Sequence, residues 1–129
     1  MKAIRIILLS LMILITFTSC GEDYACPEGI EGVWVLEKTV GGFAGGTYPA
    51  ASDQESVLKI SSSSYKEYKN GTLVLDALYE ILPKGAAFDG SPQLLSLTPG
   101  GNYGLEYDKK TLTLDERDPD SFKYFYKRH

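Results

Sequence analysis

The sequence predicts an all-β protein, an eight-stranded antiparallel up-and-down barrel, and three observations carry that expectation. Apolar and polar residues alternate at period two in several short stretches, most cleanly over Thr72–Leu82. There Leu73, Leu75, Ala77, Tyr79 and Ile81 share one face, with Asp76 and Glu80 opposite. Turn residues separate these stretches at short intervals, so consecutive strands are joined as hairpins. No stretch of useful length in the body of the chain repeats at helical spacing.

The elements follow in order. Residues 32–40, GVWVLEKTV, form the first strand, and the glycine-rich stretch GGFAGGTYPAASD reads as a long loop. Ser56–Ile60 and residues 65–69 are two short strands joined through four serines. Asn70-Gly71 then links them to Thr72–Leu82, and Asn-Gly between strands is a strong hairpin signal because both turn positions need positive φ. Pro83 and the KGAAFDGSP stretch end that strand before Gln93–Thr98. Pro99-Gly-Gly-Asn turns the chain into residues 103–107, with Tyr103, Leu105 and Tyr107 on one face. Asp108-Lys109 leads into residues 111–114, and the DERDPD loop into residues 121–128, where Phe122, Tyr124, Tyr126 and Arg128 share a face. Eight strands in sequence either stack as a sandwich or close into a barrel. Short sequential connections favour closure, which also removes exposed edges.

Ahead of the strands lies a different kind of segment. Lys2 and Arg5 precede an apolar run from Ile6 to Thr18, broken only by Ser10, Thr16 and Thr18. That run suits a secretory signal core and falls short of the ~20 residues that span a bilayer as a helix. Phe17-Thr18-Ser19-Cys20-Gly21 resembles the lipobox of bacterial lipoproteins, with Phe17 at the position that usually holds Leu. The resemblance implies cleavage after Ser19 and acylation of Cys20, hence a signal peptide over 1–19. Residues 20–29 follow as the acylated cysteine and a flexible tether, then a domain over 30–129. It further implies a lipid-anchored protein of the bacterial cell envelope, held to the outer membrane on its periplasmic face or at the cell surface. Glu22 and Asp23 are similar to the acidic surface-export signals of some Gram-negative lipoproteins. With Cys20 acylated, Cys26 has no partner within the chain, so no disulfide framework is expected.

Charge excludes one class of partner. Without residues 1–19 the chain keeps 11 Lys and Arg against 17 Asp and Glu, a net charge of −6. A surface that tracks phosphates needs the opposite sign, so no nucleic-acid partner is expected. The roughly 100 residues after the tether suffice for one domain with one core.

Gly32-Val33-Trp34, at the start of the first strand, resembles the Gly-x-Trp signature of the lipocalins and wider calycin barrels. In that family the tryptophan closes the narrow end of the barrel and a basic residue from the last strand packs across its ring. Arg128 stands where that residue belongs, so Gly32, Trp34 and Arg128 are read as a structural clamp. The chain as a whole is similar to small lipocalin-like lipoproteins, a resemblance that covers residues 30–129 in topology. The helix that larger lipocalins add after the barrel is not expected here, since too little follows Arg128 to form one.

Such a barrel either fills with side chains or keeps room for one small molecule. The bulky inward set, Trp34, Leu36, Leu58, Ile60, Tyr79, Tyr103, Leu105, Tyr107, Phe122, Tyr124 and Tyr126, favours filling. Yet a tyrosine hydroxyl inside must find a partner, and a ligand is one. Candidate ligand-lining residues are Tyr79, Tyr103, Tyr107 and Tyr124, joined by Phe43 and Tyr48 tucked inward from a lid over the mouth, away from Trp34. Two readings stay open: a small apolar or amphipathic molecule in the barrel, or a solid barrel that engages an envelope protein partner.

Catalytic chemistry finds little footing. The single histidine, His129, is the last residue, so neither a serine nor a cysteine nucleophile has a base. Gly41, Gly42, Gly45 and Gly46 lead into no helix, which a phosphate loop requires. Asp115, Glu116, Asp118 and Asp120 miss the spacing of a calcium loop and read as a solvated turn. The expectation is a binding module with no enzymatic activity, no cofactor and no metal.

Overall fold

The computed structural model describes residues 29–83 and 93–129. The predicted signal peptide, Cys20, Cys26 and most of the tether lie outside the described residues. Nine strands are present among the described residues: β1 (Gly32–Gly41), β2 (Gly46–Pro49), β3 (Ser56–Ile60), β4 (Ser64–Lys69), β5 (Thr72–Leu82), β6 (Gln93–Thr98), β7 (Asn102–Tyr107), β8 (Thr111–Asp115) and β9 (Phe122–Arg128). No helix occurs among the described residues.

All neighbouring strands pair antiparallel, and β1 pairs with β9 from Trp34↔Arg128 to Gly41↔Phe122. That last pairing closes β1 and β3–β9 into an eight-stranded up-and-down barrel. The architecture is compatible with a calycin-like fold. Asn70 and Gly71 both take positive φ, 50° and 76°, as their hairpin requires.

β2 is the departure. The glycine-rich stretch folds into a hairpin in which β2 pairs with the end of β1, Lys38↔Pro49 to Gly41↔Gly46. The free edge of β1 is therefore shared, with β3 on Gly32–Val35 and β2 on Lys38–Gly41. Gly41 has φ of +132°, and a Cβ there would lie 2.2 Å from the Ser121 carbonyl oxygen. Only glycine fits that crossing of backbones.

Two bulges re-aim side chains. In β1, Leu36 faces Tyr126 and Lys38 faces Phe125, so Glu37 is the extra residue. In β5, Leu75 faces Glu67 and Leu73 faces Tyr68, which makes Val74 the extra one. Leu73 was expected on the inward face. The bulge turns it out, leaving Leu73 and Val74 half-exposed, while Leu75 packs against the core.

The core fills the closed end and the waist. Trp34, Leu58, Leu95, Leu105 and Leu112 are fully buried, with Ile30, Ile60, Tyr65, Ala77, Leu97, Leu114 and Tyr126 nearly so. They come from every barrel strand, so the lower lumen is solid packing and not a channel.

At the closed end the expected clamp is present. The Arg128 guanidinium lies 4.1 Å from the Trp34 ring centroid. It donates to the carbonyls of Gly29 (2.9 Å), Glu31 and Lys109 (2.9 Å), while Trp34 Nε1 donates to the Ile30 carbonyl at 2.7 Å. Gly32, with φ of +139°, clears the way, since a Cβ would sit 2.6 Å from Arg128 Nη1.

Candidate functional site

Above the solid core the barrel opens. A cleft of about 320 Å³ lies at the end away from Trp34, lined by Leu36, Ser56, Glu67, Tyr124 and Tyr126, with Gln54, Glu55, Lys69 and Asn70 at its rim. Its place follows from the sharing of β1: where β2 gives way to β3, residues 50–55 pass across as a loop. Its size sits at the small end of ligand pockets.

The floor is aromatic and polar together. β9 sends Phe122, Tyr124 and Tyr126 inward, alternating with Lys123, Phe125 and Lys127. β4 sends Tyr65, Glu67 and Lys69 inward, because they pair with the inward Ile60, Leu58 and Ser56 of β3. Glu67 thus stands above the packed core with its side chain only 22% exposed, paired to Lys69 Nζ at 3.6 Å.

Burial pushes the phenols of Tyr65, Tyr103, Tyr124 and Tyr126 above their ordinary range. The Glu67 carboxylate adds to the rise in each of the four, which places one carboxylate within electrostatic reach of four rings. A hydrogen bond with Ser56 pulls Tyr126 the other way. All four stay protonated at neutral pH, and Tyr124 spends its one O–H on Glu116.

Glu116 is already engaged. Its carboxylate accepts from Tyr124 Oη at 2.6 Å and from the Phe122 amide at 3.1 Å. Asp115 accepts from the Arg117 amide at 3.0 Å and pairs with Lys123 at 3.0 Å. These contacts tie the 116–121 loop to β9. No group of three or more metal-ligating side chains gathers among the described residues.

The candidates from the sequence separate. Tyr124 lines the cleft, and Tyr103 is half-buried beside Glu116 and Glu67. Tyr79 packs against the core and senses Glu31, toward the closed end. Tyr107, paired with Leu112, is 36% exposed and away from the cleft. Phe43 is 97% exposed at the β1–β2 hairpin and tucks into nothing. Tyr48 is also exposed, meeting Phe122 edge-on at 6.5 Å between centroids. The expected lid is therefore a hairpin braced from outside.

Sequence reasoning passed over Glu67 and Ser56, and read Glu116 as part of a solvated turn, where it instead holds Tyr124 and the Phe122 amide. The β4 pattern SYKEYK places one tyrosine on each face, so its parity is readable only through pairing with β3. No family model, no curated protein and no solved structure matches the chain.

Proposed function

We propose that this chain is a lipid-anchored protein of the bacterial cell envelope whose lipocalin-like barrel takes one small amphipathic molecule into its open end. The observation that carries the reading is the cleft of about 320 Å³ above a filled core, where rings and hydroxyls meet the Glu67 carboxylate, with Glu55 at the rim. The barrel acts as a binding module and not as an enzyme.

The anchor is compatible with that geometry. Gly29 sits at the closed end, its carbonyl held by Arg128. A tether from Cys20 to Gly29 reaches at most ~30 Å when extended. Such a leash is compatible with a closed end nearer the membrane than the mouth.

Native mass spectrometry of the purified chain, followed by organic extraction, tests the reading. A mass excess that extraction releases supports it and identifies the ligand class. A bare mass, with no melting shift across lipids and hydrophobic metabolites, would overturn it. A second reading, a barrel that engages an envelope protein, has support from the outer face of β5. There Leu73, Val74 and Leu78 are 45%, 50% and 64% exposed.

A further inference from the structure

The two ends of the barrel differ in charge. Residues 50–56, 67–72 and 115–121 at the open end hold seven acidic and two basic residues. Residues 29–32, 59–64, 107–111 and 127–129 at the closed end hold five basic and two acidic ones. A concave mouth of one sign focuses its field and enriches counter-ions at the entrance.

Inside that mouth one carboxylate is set apart. Glu116 is committed to Tyr124 and Phe122. Glu67 points into the cleft from β4, among the rings of β9, and its partner Lys69 sits at a loose 3.6 Å. Lys69 is 63% exposed on a flexible stem, so a competing cation displaces it at little cost.

From this juxtaposition we propose that the cleft is a site for a small organic cation, an ammonium carrying an apolar group. Its charge rests on Glu67 and its apolar part lies against Tyr124, Tyr126 and Leu36. The chemistry is complementary on each count. A carboxylate of low exposure pairs with the ammonium more strongly than a surface one. Phenol faces attract cations, and aromatic cages are a recurrent way of holding alkylammonium groups. Ser56 and the protonated phenols can serve as hydrogen-bonding partners at the edges. An anionic ligand would meet Glu67 and the acidic rim instead.

This inference rests on the ligand-binding reading above, and its test separates the two. Benzylammonium, benzyl alcohol and benzoate present the same ring with three different charges, and each is titrated into the full chain by calorimetry. The expected order is benzylammonium first, benzyl alcohol at least about tenfold weaker, and benzoate without binding. Glu67→Gln is expected to lose at least about tenfold in benzylammonium affinity while binding benzyl alcohol as before. Lys69→Met, which removes the competing cation and leaves the carboxylate in place, is expected to bind benzylammonium several-fold more tightly. Equal binding of the ammonium and the alcohol would overturn the cation site and leave the cleft as a ligand pocket. Binding of none of the three, with a wild-type melting curve unchanged by each, would overturn the cation site and count against the pocket as well.

Discussion

Arg128 lies across the face of Trp34, 4.1 Å from the ring centroid, and bonds the carbonyls of Gly29, Glu31 and Lys109 from that position. One guanidinium therefore joins the last strand, the entry to β1 and the β7–β8 turn. Arg128→Ala removes three donors and a cation–π contact, and a cost of about 2–3 kcal/mol is expected. Arg128→Lys keeps the charge but cannot reach three carbonyls with a planar fork, so most of that loss should persist. Chemical denaturation of both variants checks this.

Gly32 is coupled to the same clamp. A Cβ at this position would lie 2.6 Å from Arg128 Nη1, and φ is +139°. Gly32→Ala should thus destabilise through both a clash and a strained backbone. In the Arg128→Ala background the clash is gone and only the backbone part remains. A double-mutant cycle is expected to show a coupling of about 1 kcal/mol or more; strict additivity would mean that the two residues do not interact.

Trp34 is the sole tryptophan, fully buried, with Nε1 bonded to the Ile30 carbonyl. Trp34→Ala should cost about 3–5 kcal/mol through the cavity it leaves. Trp34→Phe fills most of the space but orphans a buried carbonyl, which predicts about 2 kcal/mol. Denaturant midpoints followed by circular dichroism distinguish the two.

Alternation and turn chemistry in the sequence were enough for the barrel and its strand order. The clamp was legible too, because Gly32-x-Trp34 and Arg128 sit at the two ends of the domain in residue types suited to one another. What escaped depends on pairing across strands. The bulge at Val74 turns Leu73 outward, although its sequence period is unbroken. Glycine-rich residues 41–46 look like an open loop, yet Gly41 and Gly46 pair as the start of a hairpin. Nothing in SYKEYK marks Glu67 as inward, and only its place opposite Leu58 turns it into the lumen. A site made by the parity of two short strands leaves little trace in either one.

The β1–β2 hairpin offers a sharp contrast between two aromatic residues. Phe43 is almost fully exposed, so Phe43→Ser should change stability by less than about 0.5 kcal/mol. Tyr48 meets Phe122 edge to face, and Tyr48→Ala should cost about 1 kcal/mol. Neither residue lines the cleft, so both variants should titrate benzylammonium as the wild type does. A loss of binding in Phe43→Ser alone would restore the role of a lid.

The buried phenols set an alkaline limit on stability. Burial raises the folded-state pKa of Tyr65 and Tyr126, and burial with the Glu116 hydrogen bond raises that of Tyr124. In the unfolded chain each titrates near its ordinary value of about 10. Above that pH the unfolded state loses protons that the folded state keeps, so these groups contribute stability that is complete below pH ~10 and falls as pH rises further. Each fully shifted phenol contributes a slope of about 1.4 kcal/mol per pH unit. Melting temperature should therefore hold steady from pH 7 to about 9 and drop steeply beyond about 10. The double variant Tyr65→Phe/Tyr126→Phe removes two titrating groups, so its melting curve should fall more gently over the same alkaline range. Equal alkaline slopes in the two proteins would mean that the phenols ionise as freely inside the barrel as outside it.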